Sequence, residues 1–297
     1  MMKIGYTILI LLLSCSAALF AEEDEKFTLA YQFKEKQKFT YDFGLVYKWD
    51  PYEVTADNRK EPGIVEKESS RRYSTIFRQT VTGVEEGKAT LEMQYLKLKS
   101  INKEGKEAYL SSTKAVKNKA FSVSITPDGT MTLVENWKKF GGLSGAVHFA
   151  QDLKDFMFRM YPKLPAEPAG AGSTWTHEIK GKDIESKEDI VYTYKILGQE
   201  KYLNHRCLKI EVNGIITSEY RYDDPRGSFF AIAKGNGTIT GICYFAHVKG
   251  LVVGFEGESK KDTVMNTEWV LGNEAGRKQT KELTSYINLS MKLAPPE

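Results

Sequence analysis

The sequence predicts a mainly β protein: antiparallel meander sheets, as a curved sheet or half-barrel, with one central amphipathic helix packed on the sheet. Three observations predict it. Apolar residues alternate along one long run, Phe39, Tyr41, Phe43, Leu45, Tyr47 and Trp49, with polar positions between them. Shorter alternating runs follow one another along most of the chain with a turn signal at each break, which favours antiparallel neighbours over helix-alternating parallel strands. A single stretch, between two β-rich halves, carries apolar residues at spacings of three and four instead. At 297 residues and 41% hydrophobic the chain can bury a sizeable core, and the composition excludes general disorder.

The elements justify themselves in order. Residues 1–21 carry Lys3, an apolar run from Ile4 to Leu13 and small residues up to Ala21, and then acid begins abruptly at Glu22. That is the pattern of a secretory signal peptide, too short for a membrane span. Leu12, Leu13, Ser14 and Cys15 also match a lipobox, which would acylate Cys15, whereas Leu19, Phe20 and Ala21 match an ordinary cleavage site. Either reading exports the protein to the periplasm or cell envelope, as an outer-membrane lipoprotein if Cys15 is acylated. Removing residues 1–21 takes away Lys3 and no acid, so the net charge goes from +3 to +2. So even a balance excludes a basic field for nucleic acid.

After the Phe39–Trp49 strand, Pro51–Lys67 has many charges and no period, and reads as an exposed loop. Tyr73–Val81 and Ala89–Leu98 flank GVEEGK as a hairpin, and Phe121–Ile125 and Met131–Val134 flank TPDGT. In that second turn Asp128 and Gly129 suit positive backbone angles. Val147, Ala150, Leu153, Phe156, Met157, Met160 and Tyr161 then share one helical face. Ser144 caps the start and Pro162 ends it, giving a helix over about 145–160. LPAEPAGAGSTW is an irregular connector. Strands resume at Thr174–Ile179, Ile190–Leu197, Arg206–Val212, Ile215–Tyr222, Phe229–Ala233, Thr238–Ala246, Leu251–Glu258 and Lys281–Leu293, about twelve in all. The division is therefore a signal peptide over 1–21, an N-terminal β half over 22–143, helix and connector over 144–173, and a C-terminal β half over 174–297. The halves share a pattern of strand, polar turn and strand, either as a repeat or as two generic hairpin arrays.

FSVSITPDGTMTLVEN, the helix ending in MYPKLP, GAGSTW, and GNGTITGICYFAHVKGLV carry a resemblance to an uncharacterised family of bacterial secreted proteins and lipoproteins, a domain of unknown function. The resemblance spans roughly residues 27–290. It implies a β-rich periplasmic or surface protein, and it transfers no functional residue. A more distant analogy of architecture is to periplasmic lipoprotein carriers, whose curved sheet is closed by helices over an apolar cavity.

Catalytic patterns fail on inspection. Gly142–Ala146 imitates a nucleophile elbow around Ser144, with Asp223 and His247 following, but no buried strand precedes it. His177 and Glu178 lack a second histidine for zinc, and Asp223 and Asp224 belong to a turn. No enzyme, metal or cofactor is expected. Beyond Cys15 the chain has Cys207 and Cys243, an even pair that an oxidising compartment permits to form a disulfide, though two buried thiols on strands that never meet fit equally. The expected role is a non-catalytic envelope protein binding a lipid or other apolar ligand. Phe39, Tyr41, Phe43, Leu45, Tyr47 and Trp49 on the sheet and Leu153, Met157 and Met160 on the helix would line one cavity. The alternative is a structural or protein-interaction component of the envelope that works through the 51–67 loop.

Overall fold

The structure, a computed structural model, describes residues 25–50, 54–56, 59–60, 69–101, 107–108, 120–135, 161–181, 188–224, 226–271 and 275–295. The long strands are β1 (Lys38–Trp49), β4 (Ser69–Glu85), β5 (Lys88–Ile101), β10 (Glu188–Tyr202), β11 (His205–Asp223), β12 (Phe229–Ala246), β13 (Leu251–Trp269) and β14 (Lys278–Leu293). Shorter ones are β2 (Val54–Ala56), β3 (Arg59–Lys60), β6 (Glu107–Ala108), β7 (Ala120–Ile125), β8 (Met131–Glu135) and β9 (Thr174–Ile179). All join one 14-stranded sheet, in the order β8-β7-β5-β4-β1-β14-β13-β12-β11-β10-β9, with β2, β3 and β6 off this path. Every pairing is antiparallel.

Two meanders meet at β1 and β14, so the first and last strands lie side by side near the middle of the sheet. Its edges, β8 and β9, are neighbours in sequence and do not pair, which leaves the sheet open. It is nonetheless curled. At about 4.8 Å per strand, β4 and β9 would stand about 34 Å apart in a flat sheet. Yet a single short segment reaches both. Tyr161 donates a hydrogen bond to Gln79 of β4 (2.7 Å), and the Lys163 carbonyl accepts one from the Trp175 indole of β9 (2.6 Å).

The concave face holds the core. On β1, Tyr41, Phe43 and Leu45 are buried while Asp42 between them is exposed. The convex face is charged. Glu256, Glu258, Lys260 and Asp262 project from β13, and ion pairs such as Lys234–Glu219 and Lys292–Glu256 (2.9 Å each) cross between strands there. A membrane-spanning barrel shows the reverse polarity, an apolar band outside and polar groups within.

Several sequence expectations need correction. Arg206–Val212 and Ile215–Tyr222 are one strand, β11, running straight through Asn213 and Gly214. KGNG is not a break either, because β12 continues through Gly235 and Gly237 in register with β13. These glycines are there for close approach. A Cβ on Gly237 would lie 2.4 Å from the Lys260 carbonyl oxygen, and one on Gly235 would lie 2.6 Å from the Lys261 side chain. Lys261 crosses β12 and β11 over this gap to pair with Glu188 of β10 at 2.7 Å, both side chains only 18% exposed. Within Pro51–Lys67, β2 and β3 form a small ladder and Val54 and Ala56 are buried, so this span is not wholly an exposed loop. In the TPDGT turn only Gly129 has a positive φ, at 89°. The expected helix over 145–160 lies outside the described residues, among which there is no α-helix.

Candidate ligand-binding cleft

Two irregular segments close one end of the curled sheet. Residues 25–36 and 161–170 bridge at Phe27 and Ala169 (3.0 and 2.9 Å) and press against the turns of that end. The Tyr31 N–H donates to Pro127 (2.7 Å), its hydroxyl donates to the Pro162 carbonyl (3.0 Å), and Gln32 N–H donates to Gly250 (3.0 Å). Gly129 and Gly250 are glycines because Tyr31, Pro162 and the backbone of Ala30 and Gln32 fill the space a Cβ would need. Burial drives the phenols of Tyr31, Tyr41 and Tyr161 well above their usual pKa, so all three stay protonated donors. Lys163 clamps the arrangement from outside by pairing with Asp128. Partial burial of Asp128 opposes its ionisation, but hydrogen bonds from Lys163, Thr126 and Thr130 outweigh that and hold its carboxyl well below the usual range.

Outside this plug the chain leaves a cleft of about 1410 Å³. Its floor is apolar: Phe33, Phe39, Leu251 and Leu293, with Phe33 and Phe39 edge to face at 6.1 Å. Two more apolar side chains stand at its mouth, Leu203 at 45% exposure and Val248 at 72%. Leu203 occupies the first centre of the β10–β11 turn with φ of 45°, a left-handed geometry that asparagine or glycine adopts at less cost. A leucine held there, close to half exposed, is not what the turn geometry alone calls for. The cations of the lining are Lys34, Lys38, Arg78 and Lys249, joined by His205.

The structure divides the aromatic stripe expected to line one cavity. Phe39 reaches the cleft. Tyr41, Phe43 and Leu45 are buried in solid core: Tyr41 stacks on Phe77 at 5.3 Å and donates to the Val252 carbonyl (3.0 Å), and Phe43 meets Phe77 edge to face. Tyr47 stacks on Trp49 and meets Tyr73 edge to face. Leu153, Met157, Met160 and Cys15 lie outside the described residues. Most cleft residues escape sequence reading because they come from six separate places along the chain. Of the cleft residues missed, Leu203 carries a legible signal, an apolar residue at the centre of a two-residue turn.

Cys207 and Cys243 are both free thiols. Cys243 opposes Ile210 across β11 and β12 and faces the main core. Cys207, three residues from Ile210, falls on the other face with Ala246, Leu251 and Val253, so the sheet itself separates the pair. Burial pushes the Cys207 thiol up to about 11 and that of Cys243 higher still, which leaves neither a thiolate. Asp223 and His247, the followers of the elbow-like serine, sit at opposite ends of the β11–β12 ladder, about 50 Å apart along the strands. Among the described residues no three or more His, Cys, Asp or Glu gather as a metal site.

No family model matches this chain, and no curated protein does. Solved structures give weak likenesses. A lipovitellin structure concerned with lipid–protein interactions is 9% identical at a TM-score of 0.44, matching 90% of this chain, which spans only 26% of that one. The outer membrane protein OprG of Pseudomonas aeruginosa is 8% identical at 0.26, covering 88% of this chain and 98% of its own. An exported protein with a YmcC-like fold from Bacteroides fragilis is 11% identical at 0.25, covering 90% and 100%. None is close enough to carry an argument. The class rests on the strands themselves: a curled, open antiparallel sheet with a plugged end and a cleft beside the plug.

Proposed function

We propose that this is an exported, non-catalytic protein of the bacterial cell envelope that holds an apolar ligand, a lipid or acyl chain, in the end cleft. Export rests on the signal pattern of residues 1–21. The observation that carries the ligand is the cleft itself, with a floor of Phe33, Phe39, Leu251 and Leu293 and wet apolar residues at its mouth. At about 0.8 kcal/mol per methylene, eight methylenes laid on that floor gain about 6 kcal/mol, a dissociation constant of roughly 30 µM. Native mass spectrometry of the protein purified from envelope should show lipid-mass adducts, and the pure protein should take up a fluorescent C16 fatty acid. Leu293→Asp puts a charge on the floor and should weaken uptake at least tenfold with the fold intact. A bare mass together with no uptake of any lipid class would refute the reading.

A further inference from the structure

The cleft has chemistry beyond its apolar floor. The whole chain is nearly balanced, 42 Lys and Arg against 39 Asp and Glu, so a stretch of its surface chosen blindly shows almost as many acids as bases. Among the described residues, the cleft shows four bases and no acid. Lys34, Lys38 and Lys249 are exposed, and none of the three is held in an ion pair with an acid of the described residues. By contrast, many lysines of the convex face are matched to acids on neighbouring strands.

The backbone beneath these lysines is fixed. Lys34 and Lys38 flank a tight turn in which the Lys34 N–H donates to Gln37 Oε1 (2.7 Å) and the Gln37 N–H returns to the Lys34 carbonyl (3.1 Å). Val81 of β4 ties the same turn down on both sides, through Lys36 N–H and the Gln37 carbonyl (2.9 Å each). Lys249 rides on the β12–β13 turn, whose next residue, Gly250, accepts the bond from Gln32, two residues before Lys34. His205 joins them across the cleft. Burial keeps its ring neutral and the charge of Lys249 adds to that, so it offers a neutral hydrogen-bonding edge beside the cations.

We infer that the cleft binds a single-chain amphiphile with an anionic head, its chain on the Phe33, Phe39, Leu251 and Leu293 floor and its carboxylate or phosphate among Lys34, Lys38 and Lys249. This rests on the apolar-ligand reading and adds the head group to it. Three cations lining one cleft can form ion pairs with an anionic head, hydrogen bonds with charge on both sides that no neutral head can make.

The test compares three probes on the full mature protein: fluorescent hexadecanoic acid, the matching C16 alcohol, and inorganic phosphate. The acid should bind at least tenfold more tightly than the alcohol at low ionic strength, and salt should shrink the difference. The triple substitution Lys34→Gln, Lys38→Gln and Lys249→Gln, all at exposed positions, should bring the acid down to the alcohol and leave alcohol binding as it was. Equal binding of acid and alcohol by the natural protein would overturn the head-group assignment and leave the apolar cleft standing. Failure of both would overturn the cleft as well. Phosphate binding as tightly as the acid would make this a site for a free anion and overturn the amphiphile.

Discussion

Replacing Gly237 by alanine should destabilise the protein by about 1–2 kcal/mol, although the usual effect of glycine in a strand points the other way. Gly237 has no positive φ, so its backbone accepts any residue, and the lost chain entropy of a strand glycine alone favours alanine by about 0.5–1 kcal/mol. Packing opposes this. The new Cβ would stand 2.4 Å from the Lys260 carbonyl oxygen and 3.1 Å from the Lys261 Cα, where ordinary contact begins at 3.4 Å. The obstacle is backbone of β13, laddered on one side to β12 and on the other to β14, and cannot turn aside as a side-chain tip would. Overpacking of that kind costs about 1–3 kcal/mol, more than the entropy returns. Gly83 supplies the control: it has no positive φ, and nothing lies within 4 Å of its would-be Cβ, so Gly83→Ala should be neutral or stabilising. Urea unfolding of the three proteins reads the result as midpoints at constant slope. A Gly237→Ala midpoint at or above the natural protein's, matching that of Gly83→Ala, would refute the claim that these strands approach too closely for a side chain.

The Lys261–Glu188 pair is 18% exposed on each side, so Lys261→Met should cost about 1–3 kcal/mol by taking the Lys261 ammonium away from a mostly buried carboxylate. Adding Glu188→Leu should recover much of that loss, and a double-mutant cycle measures the coupling. Acid should loosen the plug. The depressed carboxyl of Asp128 contributes stability that is fully present above the unfolded value near 4 and is lost as pH falls below it through the folded value. The natural protein should therefore lose more urea resistance between pH 5 and 2 than Asp128→Asn does; parallel curves would count against the clamp. The two thiols should resist a thiol reagent in the folded protein and react together on unfolding, and reductant should leave the melting temperature unchanged. Rapid labelling of either in the native state would contradict their burial.

Strand existence was legible because one face is buried: wherever alternate residues enter the concave core, as along β1 or in the Arg206–Val212 part of β11, period two stands out. Strand length was not. Gly214, Gly235 and Gly237 resemble turns in isolation, and what makes them strand residues is the approach of Tyr192, Ile239, Lys260 and Lys261 from neighbouring strands, information held elsewhere in the chain. The far half of β13, Ser259–Trp269, went unread for a related reason: its inward positions include Ser259, Lys261 and Thr263, polar residues facing glycines and an ion pair, so no hydrophobic period survives. Of the candidate site, the stripe from Phe39 announced apolar surface. Whether such surface becomes cavity or core depends on what covers it: Phe77 and the Val252 carbonyl cover Tyr41, while among the described residues nothing comparable fills the space outside Phe39.

The topology explains why the cleft is a property of the whole sheet. Its walls come from the approach to β1, the β4–β5 hairpin, the β10–β11 and β12–β13 turns, and the Leu293–Pro295 tail of β14. β1 and β14 are partners though they stand at opposite ends of the chain, and the Ala294 N–H still bonds to the Thr40 carbonyl (2.8 Å) beyond the last pair. Closing that pairing carries the largest loop-closure entropy in the fold, so either meander can form before the two are joined. The floor of the cleft brings Phe39 and Leu293 together only when they join. On the proposed function, a chain bound across Phe39 and Leu293 would stabilise the β1–β14 seam, where the two meanders of the sheet join.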